Sequence, residues 1–336
     1  MLQEKVIDKA LKNCIGTDRS RCLRMRFNRN TCSLCMQQCS SGVIGIGEDV
    51  TINMDNCSEC MLCVSACPSG CFEIRGLNFY SIIARLRKIG ASVQSPVIGC
   101  SKTASPSSHL RTFCFGYLSE ELLIALSVYI QNSVQLDLTG CAGCNGFIDG
   151  ILESRLENIE AMTGIRISEK IRLVKDRAEL DFQDISYDRR SFFRAIRDMT
   201  LMQASGLFGD EVDSQGMQSY SAKKMPFKRE VLNGTIRILP PERRRAVLYN
   251  YYYKADVSED CNNCFACIGI CPTGALKTIE AEGGRELSFN SSLCTGCSLC
   301  SSICSRGLII IEKGFSGDNP FGFQHTKKEH FLMSVA

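Results

Sequence analysis

Apolar residues recur at helical spacing over residues 77–89, 119–131 and 147–162, which predicts three helices in the middle of the chain. Residues 96–99, 134–138 (VQLDL) and 170–176 (KIRLVKD) are short runs of strand length between and after them. Residues 101–112 (SKTASPSSHLRT) lack either period and read as a polar loop. From residue 96 onward the order is strand, helix, strand, helix, strand. This predicts an α/β domain with a small parallel sheet, because parallel neighbours need a crossover and helices supply it here. Ligands of such sheets sit at the carboxyl ends of strands, where Cys100 and Cys141 fall.

The pattern changes on both sides of that domain. Residues 1–14 read as an amphipathic helix, without the basic stretch and apolar core of a secretory leader. Residues 187–199 (YDRRSFFRAIRDM) mimic a twin-arginine export signal, but such signals are N-terminal, so an ordinary amphipathic helix is expected. Residues 205–226, rich in Gly, Ser and Gln, read as a linker. Pro240 and Pro241 then open a helix over residues 242–254, whose tyrosines are expected to pack. Polar and apolar residues alternate around Gly283-Gly284 in residues 275–290, which predicts a β-hairpin.

Cysteine usage gives the chemistry. The chain has 22 cysteines in 336 residues, too many for small buried hydrophobes. Disulfide scaffolds are short chains without a core, whereas this one is 44% hydrophobic, so metal is the better reading. The cysteines form two dense blocks, residues 22–71 and 261–304, with four cysteines between them. The second block reads Cys261-x2-Cys264-x2-Cys267-x3-Cys271-Pro272, then Cys294-x2-Cys297-x2-Cys300-x3-Cys304. The first reads Cys22-x9-Cys32-x2-Cys35-x3-Cys39, then Cys57-x2-Cys60-x2-Cys63-x3-Cys67-Pro68. Paired zinc knuckles do not use a threefold run with a distant fourth cysteine.

These blocks resemble bacterial two-cluster ferredoxin domains. Their combination resembles multi-cluster ferredoxin-like subunits of anaerobic redox complexes. The resemblance implies α+β ferredoxin-like (βαββαβ) modules at both ends and low-potential one-electron transfer. In such runs three successive thiolates face one 4Fe-4S cubane, and the fourth cysteine reaches the other. Crossed ligation assigns Cys22, Cys32, Cys35 and Cys67 to one cluster, and Cys57, Cys60, Cys63 and Cys39 to a second. It assigns Cys261, Cys264, Cys267 and Cys304 to a third, and Cys294, Cys297, Cys300 and Cys271 to a fourth. Cys22 departs from the family spacing, and Cys14 is its alternative. Cys14 and Cys71 are otherwise expected to be structural.

The central Cys100, Cys114, Cys141 and Cys144 are a candidate fifth site. Their order is similar to thioredoxin-like 2Fe-2S ferredoxins. Redox-active or substrate-facing thiols, zinc, and inert buried cysteines are the other readings. The glycines of GCAGCNG let backbone amides approach sulfur or a cluster.

Charge and hydropathy narrow the partners. The formal charge is +3. Four all-cysteine clusters would add about −8 and take the chain to about −5, so the basic balance points to no nucleic-acid partner. Arg19, Arg21, Arg24, Arg26 and Arg29 crowd Cys22, either to compensate cluster charge or to dock an acidic redox partner. The apolar stretch 122–130 is about half of a bilayer span. GVIGIG at Gly42 has the wrong spacing for a nucleotide loop, and His109, His325 and His330 build no metal site.

The expected organisation is a ferredoxin module at 1–76, a central α/β domain at 77–204, a linker and connecting helix at 205–254, a second module at 255–314 and a tail at 315–336. The expected function is single-electron transfer through four 4Fe-4S clusters between donor and acceptor subunits. The setting would be a cytoplasmic or membrane-associated oxidoreductase complex, without a membrane span of this chain's own. The rival expectation is a reductase subunit with a substrate or disulfide site at the central cysteines.

Overall fold

The computed structural model describes residues 14–103, 105–144, 147–185, 222–281, 284–317 and 319–326. The helices expected at 1–14 and 187–199, most of the linker and His330 lie outside the described residues.

The N-terminal part begins with β1 (Ile15–Thr17) and two short helices, α1 (Leu23–Arg26) and α2 (Leu34–Gln37). A hairpin of β2 (Ile44–Ile46) and β3 (Val50–Ile52), helix α3 (Leu62–Ala66) and strand β4 (Phe72–Ile74) complete it. β1 pairs antiparallel with β4, so the first strand closes on the last.

The central sheet holds β5 (Val97–Cys100), β6 (Leu110–Thr112), β7 (Val134–Asp137) and β8 (Ile171–Val174) in the order β6-β5-β7-β8, all parallel. β6 lies inside the stretch that reads as a polar loop. Its three residues bury Leu110 and Thr112 and expose Arg111, an alternation too short to stand out beside the serines before it. Three helices pack with the sheet: α4 (Phe79–Gly90), α5 (Glu120–Tyr129) and α6 (Ile148–Thr163). α4 starts where Asn78 accepts the Ser81 N–H at 2.8 Å and buries Phe79, Ile83 and Leu86 along one stripe. α5 is apolar nearly all round and buries seven of its ten residues, as a helix enclosed by its neighbours must. α6 ends at Gly164, whose φ of 68° is the left-handed cap glycine adopts freely.

Two helices lead on, α7 (Phe227–Ile238) and α8 (Pro241–Tyr251). Pro240-Pro241 predicts the second, and the first is not among the expected elements. α7 contains Asn233-Gly234, a local breaker signal, yet Val231, Leu232, Thr235 and Ile236 are buried, so tertiary packing overrides it. One hydrophobic core runs through the N-terminal part, the sheet domain and these helices.

The C-terminal part repeats the element order of the N-terminal one with a single helix before its hairpin. It runs β9 (Tyr253–Val257), α9 (Ala266–Ile270), β10 (Leu276–Ala281), β11 (Gly284–Phe289), α10 (Leu299–Ile303) and β12 (Ile309–Lys313). β9 pairs with β12, β10 with β11, and a core of its own fills the part. The tail contributes a short strand, β13 (Gln324–His325), which extends the hairpin beside β11. Charged side chains tie other parts of the chain to α9 of the C-terminal part: Arg26 Nε donates to Ile270 O at 2.9 Å, and Lys223 Nζ donates to the carbonyls of Ile268, Gly269 and Cys271. Lys224 pairs with the buried Asp18 at 3.2 Å.

Candidate metal centres

Three of the cysteine loops have one backbone shape. The residues flanking the middle cysteine are both left-handed: Glu59 and Met61 (φ 48° and 62°), Asn263 and Phe265 (54° and 59°), Gly296 and Ser298 (69° and 54°). Non-glycine residues rarely adopt this conformation without compensation. Alternation of right- and left-handed residues turns successive N–H groups to one side, a nest for negative charge. Donors already aim at sulfur: Glu59 N lies 3.4 Å from Cys57 Sγ, and Gly296 N lies 3.5 Å from Cys294 Sγ. The fourth cysteines are served in the same way. Cys67 Sγ accepts from Cys71 N at 3.2 Å and Cys304 Sγ from Leu308 N at 3.4 Å. A hydroxyl two residues on, Ser69 or Thr273, sits 3.5 Å from Cys67 Sγ or 3.6 Å from Cys271 Sγ.

The Cys32–Cys35 loop differs. Ser33 has φ −133° and Leu34 starts α2, so no left-handed residue follows Cys32. The loop before it is held from inside the fold: Arg21 is buried, donating to Ser69 O and pairing with Glu73 at 2.8 Å. Arg21 and Arg26 are thus engaged by internal carbonyls and a carboxylate, which counts against docking for these two, whereas Arg24 is the arginine within electrostatic reach of Cys22 and Cys32.

The thiols fall into neighbourhoods. Cys32 and Cys35 lie within electrostatic reach of both Cys22 and Cys67. Cys63 lies within reach of Cys57, Cys60 and Cys39. Cys267 neighbours Cys261 and Cys264, and Cys300 neighbours Cys297 and Cys271, with Cys294 facing Cys297 and Cys300. Cys304 meets the backbone amides of residues 306–309 that follow it. Burial pushes the Cys35 and Cys300 thiols up to about 12, and those of Cys267 and Cys297 to about 11. Without a cation these thiols would stay protonated, whereas iron holds its ligands as thiolates. Among the described residues no three His, Cys, Asp or Glu side chains close on the position of a single ion. A cubane offers each of four thiolates a different iron, so separated thiols behind nests of amides suit it.

Two cysteines outside the expected sets have defined places. Cys71 is buried among the first set, and its thiol hydrogen bond holds Cys22 down at about 6. Its only sequence signal was the spacing Cys67-x3-Cys71. Cys14 instead donates to Glu59 Oε1 at 3.8 Å, beside the Cys57–Cys60 loop and away from the place where it would replace Cys22.

The central cysteines gather at the carboxyl edge of the sheet. Cys100 is the last residue of β5, Cys114 follows β6, and Cys141 follows the adjacent β7. Asp137 fastens this edge, accepting from Ser105 N, Thr139 N and Thr139 Oγ1. Cys100 and Cys114 share a thiol hydrogen bond, which holds Cys100 down at about 6. Cys141 is within reach of both Cys100 and Cys144. This edge faces the N-terminal part: Lys102 pairs with Glu59 at 3.1 Å and donates to Ser58 O, and Cys114 is within reach of Cys60.

His109 accepts from Val97 N and stacks on Phe182, and His325 lies near Glu286. No helix among the described residues is long and apolar enough to cross a membrane.

Comparison with known proteins agrees with this chemistry. Residues 257–308 match the family model of the 4Fe-4S dicluster domain, and residues 50–73 match that of the 4Fe-4S binding domain. The run from Cys22 to Cys39 lies outside both matches. An uncharacterized ferredoxin of Methanocaldococcus jannaschii is 30% identical over 54 residues, which cover 16% of this chain and 70% of that protein. The ferredoxin-like protein in nif region of Azotobacter vinelandii is 31% identical over 71 residues, 19% of this chain and 73% of that protein. No solved structure matches the chain. These domains bind 4Fe-4S clusters and serve electron transfer, and the chain belongs to the 4Fe-4S ferredoxin family.

Proposed function

We propose that the chain passes single electrons along four 4Fe-4S clusters, two in each ferredoxin-like βαββαβ module, between donor and acceptor subunits of an oxidoreductase complex. Bound clusters supply the one-electron chemistry, and the chain supplies ligation, burial and hydrogen bonds to sulfur that set their potentials. The observation that carries this reading is that thiol neighbourhoods adjoin within each module and a direct hydrogen bond joins the modules beside two of them. Cys63 lies within reach of Cys35, joining the two N-terminal sets. Arg26, close behind Cys22, donates to Ile270 O, next to Cys271, joining the two modules. Cys300 lies within reach of Cys267, joining the two C-terminal sets. A single module serves a soluble carrier, whereas this order suits a wire.

A second reading is favoured by the hydrogen bond between Cys100 and Cys114 and by the approach of Cys114 to Cys60. In it the two thiols form a disulfide when oxidised, and reduction takes two electrons from the neighbouring clusters and two protons from solvent. Reductive titration of the reconstituted chain tests both. Four clusters accept about four electrons. The disulfide adds about two more, which Cys114→Ser would remove. Uptake of about two electrons in total would contradict the wire.

A further inference from the structure

We infer that a cavity between the two modules binds a small oxyanion, of the phosphate, sulfate or dicarboxylate class. The cavity is about 290 Å³ and is lined by residues of both modules, the central domain and the connecting helices. Ser65 and Thr295 place it beside a cysteine run of each module, since Ser65 lies between Cys63 and Cys67 and Thr295 follows Cys294.

Arg229 points to the ligand. It lines the cavity at only 3% exposure, and its Nε and Nη1 have no hydrogen-bond partner. Its guanidinium lies over the Tyr252 ring at 4.7 Å and within electrostatic reach of Glu121 and Cys294, but none of these contacts supplies an acceptor to Nε or Nη1. Two buried guanidinium N–H groups without an acceptor carry a desolvation cost that a ring contact does not return. An acceptor entering the cavity removes that deficit.

The surroundings favour an anion. Arg155, Lys228 and Lys313 also line the cavity, against Glu120 and Glu121. Glu120 is occupied by the Tyr251 hydroxyl at 2.8 Å. Burial pushes Glu121 up, but Lys228 and Arg229 together hold it below its ordinary value, so it is charged and leaves the set cationic. Helices α5 and α7, ten and twelve residues long, both begin here, with Ser119 to Glu121 and Lys228 to Arg229 at the lining. Helix starts carry partial positive charge. Lys228 and Arg155 are fixed, donating to Ser65 O at 2.6 Å and Ser65 Oγ at 2.9 Å, so the site is formed before the anion arrives.

The test is calorimetric titration of the reconstituted full chain with inorganic phosphate, sulfate and malonate in separate runs. Saturable binding of at least one is expected. Arg229→Gln should weaken it at least about tenfold, and Arg243→Gln, on an exposed face, should leave it unchanged. Should Arg229→Gln fail to fold, Lys228→Gln carries the test, with an expected loss of at least about threefold. Absence of saturable binding by all three anions, or equal affinity in wild type and these cavity variants, overturns the site.

Discussion

Replacing Cys297 by alanine is expected to remove about four of roughly 16 iron atoms, and up to about eight if the neighbouring cluster is lost with it. Cys297 faces Cys294, Cys300 and Cys271 across a loop whose left-handed Ser298 has little reason to persist without a cluster. The C-terminal core is small and its walls include Cys267, Cys271, Cys294 and Cys300, so metal loss and packing loss are coupled there. The separate N-terminal core should keep its clusters. EPR of the dithionite-reduced variant, with iron analysis, reads the result. An unchanged spectrum with full iron would mean that Cys297 is not a ligand.

Gly116→Ala is expected to destabilise the protein by about 3 kcal/mol through overpacking. A Cβ at this position would lie 2.0 Å from the Cys60 carbonyl oxygen, and backbone on both sides leaves no side chain to swing away. The segment carrying Gly116 is what seats the central edge, with Cys114, against the Cys57–Cys63 loop. Chemical unfolding measures the loss, and the cluster proposed at Cys60 should become the most easily stripped by chelator. A change below about 0.5 kcal/mol would mean that the two segments do not touch.

Much of this arrangement is legible from spacing, because three-residue steps between cysteines leave a loop few ways to point its thiols inward. The regular runs at Cys57, Cys261 and Cys294 share one backbone shape for that reason. The Cys22 run is not legible in the same way. Its nine-residue gap hides that α1 and the buried Arg21 bring Cys22 back to Cys32 and Cys35, and that Cys71 joins them. The central domain is readable where strands are apolar and helices long. It is unreadable at β6, where three residues gain their strand from the neighbour they pair with. The contact between the modules, Arg26 to Ile270, and that of the linker with the first module, Lys224 to Asp18, depend on groups more than 200 positions apart, and no local pattern encodes them. Arg229 is similar: a basic residue early in a helix reads as solvated, and only the closing of four parts around it makes it a buried charge.

The central claim is that both modules each hold two clusters, and iron and acid-labile sulfide per chain after anaerobic reconstitution test it most directly. The proposed ligand sets predict about 16 of each, with more only if the central thiols also take a cluster. The first set decides the outcome, since its run departs in spacing and in backbone shape from the other three. A value of about 12 would remove that set's cluster, and a value of about eight would contradict the two-module account.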